Sequence, residues 1–346
     1  MAARTRSSGL RVAILGASSL KGKELKEVLE ERQFPVKKLT LLDDDEALGQ
    51  LTDFEGEPTF VRTIAPDTFT ESDLVFFAST AGAFTRAHWP QAAAGPAALI
   101  DLTHALLDVP EAVVRVPFLD PHLLPTPNSG LPAGQAGCRW FIAPHAAAIV
   151  LLTLLARLSG PLRLRQVVAN VFEPVSERGS EGMDELQEQT VRLLSFKEFP
   201  RAVFDAQVAF NLLPRYGADS PARLEEVEDT IRREIERCAP ALADRLALRV
   251  LQAPIFHAHC LSVLAELEEP FEVSAVERAL RGERVALLSP EEAPAAPVDV
   301  AGREDIVVGP VLRDQKRPAA FWLWTVVDNL RLTARTAVEI AESFVA

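Results

Sequence analysis

Cysteine is scarce: Cys138, Cys238 and Cys260 are the three in 346 residues, and none forms a CxxC pair. An odd count without paired spacing excludes a disulfide framework and a cysteine-rich zinc site. Positive charge is also short. The net charge is −13 and the sequence pI about 5.1, and without a basic stripe this argues against a nucleic-acid partner. No run reaches the about 20 apolar residues a bilayer helix needs; the one after Pro144 is broken at Arg157. The start resembles a signal peptide slightly, with Arg4 and Arg6 before an apolar run, but Arg11 interrupts it and a strand accounts for it better. The expectation is a cytoplasmic protein with no membrane contact. Hydrophobic residues make up 48% and charged residues 25%, which is globular rather than disordered, and the length allows two domains.

What is present is an alternation. Apolar runs at Leu10–Leu15, Leu39–Leu42, Leu74–Ala78 and Ala97–Leu102 read as buried strands, with helical spacing at Leu25, Val28 and Leu29 after the first and a helix ending near Gly95 before the last. This implies an α/β fold with a Rossmann-type, doubly wound parallel sheet. The Pro- and Gly-rich stretch from Pro121 to Gly137 reads as a boundary region. Beyond it, Val167–Val171 and Leu248–Leu251 read as strands, and Leu224, Val227, Ile231 and Ile235 line one side of a helix, as in an α+β domain. A last helix is expected over Val326–Val345. The predicted division is 1–133 together with 326–346 for the dinucleotide-binding domain and 134–325 for the second.

GASSLKG, from Gly16 to Gly22, lies between the first strand and the first helix, where a dinucleotide fingerprint belongs. Glycine is needed there for a tight turn and close approach to a pyrophosphate. Gly16 and Gly22 fill the ends of a GxxGxxG pattern, but Ser19 stands in the middle, where a side chain obstructs that approach. A turn that keeps its glycines only for packing is equally compatible. Candidate cofactor contacts are Gly16, Ser18, Ser19 and Leu20, with Asp43 after the second strand and Ala81 and Gly82 after the third. Asp43 could take a ribose hydroxyl, and Asp44, Asp45 and Glu46 beside it would repel a 2′-phosphate, favouring NAD over NADP. A solvated acidic loop is the alternative.

Four blocks, VAILGASSLKGKELKEVLEERQFPVKKLTLL, SFKEFPRAVFDAQVAFNLLP, APVDVAGREDIVVG and VVDNLR, resemble the aspartate-semialdehyde dehydrogenase family in order and spacing over nearly the whole chain. The resemblance implies a homodimer formed through the second, catalytic and dimerisation domain, and a nucleotide-binding domain completed by the C-terminal helix. It also implies reduction of an aspartyl phosphate through a cysteine thioester with bound NADP. That chemistry needs a thiolate at a helix N-terminus, a histidine for proton transfer, and arginines for phosphate and carboxylate.

Carried over position by position, the resemblance places the family's Asn-Pro-Asn-Cys on Ala143, Pro144, His145 and Ala146, so the nucleophile becomes a methyl group. The family's glutamine falls on Glu173, its phosphate-site arginine on Leu107 and its second arginine on Gln252. The glutamate and lysine that contact substrate fall on Arg223 and Glu225, and the C-terminal cofactor contact on Leu332–Arg335 with a one-residue deletion. Only the histidine survives, as His259. Each lost charged hydrogen bond removes roughly 1.5–3 kcal/mol, so the parent reaction is not expected. The reading is a homologue without dehydrogenase activity, with a binding or regulatory role and an old cleft open to a small molecule. Two alternatives remain: a different chemistry at His259, or a conventional NAD(P)-dependent semialdehyde dehydrogenase of amino-acid biosynthesis, as the resemblance alone suggests.

Could another residue take over? Cys260 adjoins His259, but neighbours on a strand face opposite ways, so a small buried thiol is expected. His257 and His259 would share a face at the two-residue period. With His145 and Glu173 they could form a His/Glu metal site, although hydrogen-bonded histidines account for the spacing equally and no metal is expected. His145 reads more simply as a helix cap.

Overall fold

A computed structural model describes residues 9–44, 48–65, 67–119 and 138–345. The chain separates into two compact units. Among the described residues, one holds those up to Pro117, 138–144 and Thr333 onward, and the other holds 118–119 and His145–Leu332. The predicted boundaries at 133/134 and 325/326 thus differ from the structural ones at 144/145 and 332/333. Strand pairing explains the shift: Trp140–Ile142 joins the first sheet and Ala320–Val327 the second. The Pro/Gly-rich boundary stretch and the acidic pair Asp45 and Glu46 lie outside the described residues.

The first unit contains β1 (Leu10–Leu15), β2 (Val36–Leu42), β3 (Leu51–Phe54), β4 (Glu57–Arg62), β5 (Leu74–Phe77), β6 (Ala98–Asp101), β7 (Val113–Val114) and β8 (Trp140–Ile142). They form one sheet in the order β3-β4-β2-β1-β5-β6-β8-β7. All pairs are parallel except β3 with β4. Helices α1 (Leu20–Glu31) and α2 (Gly82–Ala93) follow β1 and β5. The apolar run of β1 supplies both faces, as a doubly wound sheet requires. Val12 and Ile14 pack with Leu25, Val28 and Leu29 of α1, while Ala13 and Leu15 pack on the other side with Val75, Phe77 and Leu99.

The second unit contains β9 (Leu164–Glu173), β10 (Leu246–Gln252), β11 (His259–Leu267), β12 (Val285–Leu287), β13 (Ile306–Val308), β14 (Leu312–Arg313) and β15 (Ala320–Val327). The order is β10-β9-β11-β15-β13-β12, with β14 on β15. β9 runs parallel to β10, and β11 is antiparallel to both β9 and β15. Its helices are α3 (Ala146–Ser159), α4 (Gly179–Leu194), α5 (Leu224–Cys238), α6 (Pro240–Ala243) and α7 (Val273–Leu280). Apolar on nearly every side, α3 is buried from Ala146 through Leu158, as such a helix must be.

The C-terminal helix, α8, spans Asn329–Glu342. The expected start at Val326 is corrected, because Val326 and Val327 are the last pairs of β15 with Cys260 and His259 of β11. Ala337, Val338, Ile340 and Ala341 of α8 join the core of the first unit. None of the described helices is long and apolar enough to cross a membrane.

Candidate functional site

The turn after β1 has the expected backbone. Gly16 has φ +83°, and a Cβ there would sit 2.3 Å from the Ser79 amide nitrogen; a Cβ on Gly22 would sit 2.2 Å from the Gly16 carbonyl oxygen. Both glycines are therefore demanded by packing, whether or not a cofactor binds. Ser19 caps α1: its Oγ accepts the Gly22 N–H at 2.9 Å and donates to the Ala78 carbonyl at 2.6 Å. The hydroxyl is thus engaged within the cap.

Asp43 is held by the same turn. Its Oδ2 accepts the Ser18 N–H at 2.8 Å and the Ser18 hydroxyl, and its Oδ1 accepts the Asp44 N–H at 3.0 Å. The group expected at a ribose also serves the protein's own turn. Leu20 opens α1, Ala81 is the α2 N-cap without a side-chain bond, and Gly82 opens α2. The backbone of the turn suits a pyrophosphate, and Asp43 keeps acceptor capacity beyond the three hydrogen bonds it accepts from Ser18 and Asp44.

In the second unit the sheet gathers a different set. Glu173 ends β9, Gln252 pairs with it at the end of β10, and His259 opens the antiparallel β11, so all three lie at one end of the sheet. All are fully buried. His145 caps α3: its Nδ1 accepts the Ala147 N–H at 3.2 Å, and its own backbone N–H donates to Glu234 Oε2 at 2.9 Å. Ala146, Ala147 and Ala148 follow, each buried. The start of α3 thus keeps the backbone that would serve a nucleophile or an anion but presents a methyl group, with an imidazole and a carboxylate already on its amides.

Glu173 is the centre of this arrangement. Its Oε1 is ion-paired with Arg178, while Nε2 of His145 and Nε2 of His259 lie 3.7 Å and 3.6 Å from Oε2. Burial alone would push its carboxyl up, but the positive charge of Arg178, aided by the two imidazoles, holds it below the usual glutamate range. Gln252 donates to the Glu173 and Ala253 carbonyls at 2.8 and 2.9 Å and accepts the Tyr216 hydroxyl at 2.7 Å. Burial pushes the Tyr216 phenol up to about 12. Where the resemblance put a substrate-binding arginine, a neutral amide now fastens two strand ends.

His257 is corrected as a partner of His259. It lies in a turn before β11, and Ala258 between them has φ +78°, so the two-residue strand period does not apply. Cys260 faces the cluster containing Val307 and Val326, and burial pushes its thiol up to about 11, as expected of an inert core cysteine. Leu107 is buried in a short 3-10 turn of the first unit. Arg223 and Glu225 line a cavity of about 320 Å³ with Arg215 and Tyr216. Sequence reasoning missed Arg178, Tyr216 and Glu234. Glu234 carried a usable signal, because it stands three residues after Ile231 on the apolar stripe of α5, where a carboxylate needs a donor.

The architecture is a Rossmann-like parallel-sheet unit with a second α+β unit, and sequence comparison identifies it further. Residues 11–125 match the family description "Semialdehyde dehydrogenase, NAD binding domain", and residues 155–332 match "Semialdehyde dehydrogenase, dimerisation domain". The chain belongs to the semialdehyde dehydrogenase family. It is 32% identical to a USG-1 protein homolog of Pseudomonas aeruginosa over 94% of each chain, and 29% identical to an aspartate-semialdehyde dehydrogenase of Prochlorococcus marinus over 96% of this chain and 95% of that one. The fold matches aspartate semialdehyde dehydrogenase II of Vibrio cholerae, solved with ASA, at a TM-score of 0.86 and 25% identity, covering 98% of this chain and 99% of that chain. A probable aspartate-semialdehyde dehydrogenase from Pseudomonas aeruginosa matches at 0.82 and 31%, with the same coverage.

Proposed function

We propose that this protein is a member of the aspartate-semialdehyde dehydrogenase group that has given up the dehydrogenase reaction and acts as a binding or regulatory protein, as a homodimer through its second domain. The observation that carries the reading is Ala146. It opens α3 where the family resemblance requires the cysteine, and a methyl group cannot form a thioester. Leu107 and Gln252 in place of the arginines support the same reading, because an acyl phosphate would find neither cation. The match to an NAD binding domain supports a dinucleotide site, and the acidic run that begins at Asp43 supports NAD over NADP.

The test is an assay of the purified chain with aspartate semialdehyde, phosphate and either NAD or NADP. The expected result is no reduced cofactor above background. Turnover, above all turnover that persists after Cys138, Cys238 and Cys260 are all changed to serine, overturns the proposal.

A second reading rests on His259, which keeps the place of the family's histidine but has no hydrogen-bond partner on either ring nitrogen. A buried imidazole free at both positions can serve a different reaction in the same cleft.

A further inference from the structure

Three side chains of the second unit converge in a way that loss of a nucleophile does not explain. His145, Glu173 and His259 each offer one ligand atom, all within 4.8 Å of one another, and all three residues are buried. The two rings meet edge to face with centroids 4.8 Å apart. Neither nitrogen of His259 nor Oε2 of Glu173 has a hydrogen-bond partner. Leaving such groups unsatisfied in a buried place is unfavourable, and the two Nε2 atoms stand 3.7 and 3.6 Å from the same carboxylate oxygen, outside hydrogen-bond reach. An ion between them gives Glu173 Oε2 and one ring nitrogen of His259 the partner they lack.

We propose that His145, Glu173 and His259 form a binding site for one divalent transition-metal ion, with at least one coordination position left open. Two imidazoles and a carboxylate are a donor set for zinc or ferrous iron rather than magnesium or calcium. Bonds of about 2.0–2.1 Å around a tetrahedral ion put neighbouring ligands roughly 3.3 Å apart, so each imidazole needs to close on the carboxylate by only a few tenths of an ångström, and the two imidazoles, within 4.8 Å, on each other by at most about 1.5 Å. Three protein ligands with an open fourth position are the pattern of catalytic rather than structural zinc.

Two features oppose binding and make the proposal specific. The Nδ1 of His145 accepts the Ala147 N–H, which puts the ring proton of the neutral, metal-free imidazole on Nε2. Coordination through Nε2 must move that proton and release the cap, a single hydrogen bond against a set of coordination bonds. Arg178 adds positive charge, but it engages Oε1 and leaves Oε2 for the ion. The buried carboxylate of Glu234, bonded to the His145 backbone N–H, offsets part of that charge.

The experiment uses the full chain, purified without a histidine tag and stripped with a chelator. Zn(II) is titrated in competition with a chromophoric chelator, and Co(II) is followed by its visible absorption. The expected result is one ion per chain with the intense Co(II) bands of a low-coordinate site. His259→Ala and His145→Asn should each weaken binding beyond the about 10- to 100-fold that loss of an outer-sphere partner costs. The second variant keeps a side chain able to cap Ala147 and so separates ligand loss from cap loss. For the unaltered chain, the thermal midpoint should rise with Zn(II) concentration by mass action, a readout that needs no variant to fold. No uptake by the stripped chain, or uptake that both substitutions leave unchanged, overturns the site. The inference does not depend on the absence of dehydrogenase activity: turnover by stripped protein would sink the proposed function and leave the metal count as it stands.

Discussion

The turn after β1 in the first unit and the turn before α3 in the second have diverged in opposite ways. In the first, Gly16 and Gly22 persist because backbone atoms 2.3 and 2.2 Å from their would-be Cβ positions leave no alternative, while the polar groups around them have turned inward onto the protein. In the second, the helix start persists but its side chains are replaced. His145 caps it, Ala146 stands where the resemblance puts the nucleophile and Glu173 is tied to Arg178. A retained motif can therefore reflect packing alone, and a retained backbone says nothing of the chemistry once performed there. Function has to be argued from the side chains.

The comparison breaks most visibly at Glu173. Glu173→Gln removes one partner of a buried ion pair and leaves Arg178 uncompensated; the expected loss is about 3–5 kcal/mol, measured by urea denaturation. An effect below 1 kcal/mol would show that Glu173 does not organise the second unit. Gly22→Ala should cost less, about 1–3 kcal/mol, as overpacking does. That loss should be the same with and without added NAD; a loss seen only in NAD affinity would restore a cofactor role to the turn.

Ala146→Cys sharpens the contrast further. The new thiol lies at a helix N-terminus, which lowers a thiol's pKa, whereas burial in the core pushes the Cys260 thiol up to about 11. Alkylation should therefore separate the two as pH rises, with residue 146 reacting first. Dehydrogenase turnover should remain absent because Leu107 and Gln252 still supply no cation.

The smallest effect is expected at Asp73, whose carboxylate accepts from the Arg11 side chain and backbone. The Arg11 hydrogen bond holds it below its ordinary value. A depressed carboxylate stabilises the fold above its unfolded value of 3.8, and that contribution is lost as pH falls through the lower folded value. The pair is partly exposed, so Asp73→Asn should cost at most about 1 kcal/mol at neutral pH and flatten the acid limb of a stability-against-pH curve.

Much of the fold was legible because buried parallel strands are apolar runs. Leu10–Leu15 and Leu74–Ala78 announce themselves, and so do Leu25, Val28 and Leu29 at helical spacing. The β3–β4 hairpin was not legible: Leu51 and Phe60 are 64% and 55% exposed, so no buried face imposes a period. The end of β15 was taken for helix because Val326 and Val327 run almost directly into α8. At the site, the replaced nucleophile was readable only through the family resemblance. The meeting of His145, Glu173 and His259 needs three distant segments to converge on one sheet end, and the positive φ of Ala258, which removes His257, has no composition signature.

The bond from the His145 backbone N–H to Glu234 has a consequence for the electrostatics of the helix start. The first turn of a helix attracts anions, and an enzyme of acyl phosphates leaves that attraction for its substrate. Here α5 delivers a carboxylate to it permanently, so the protein carries its own surrogate for the anion. A helix start satisfied in this way has less attraction left for a further anion.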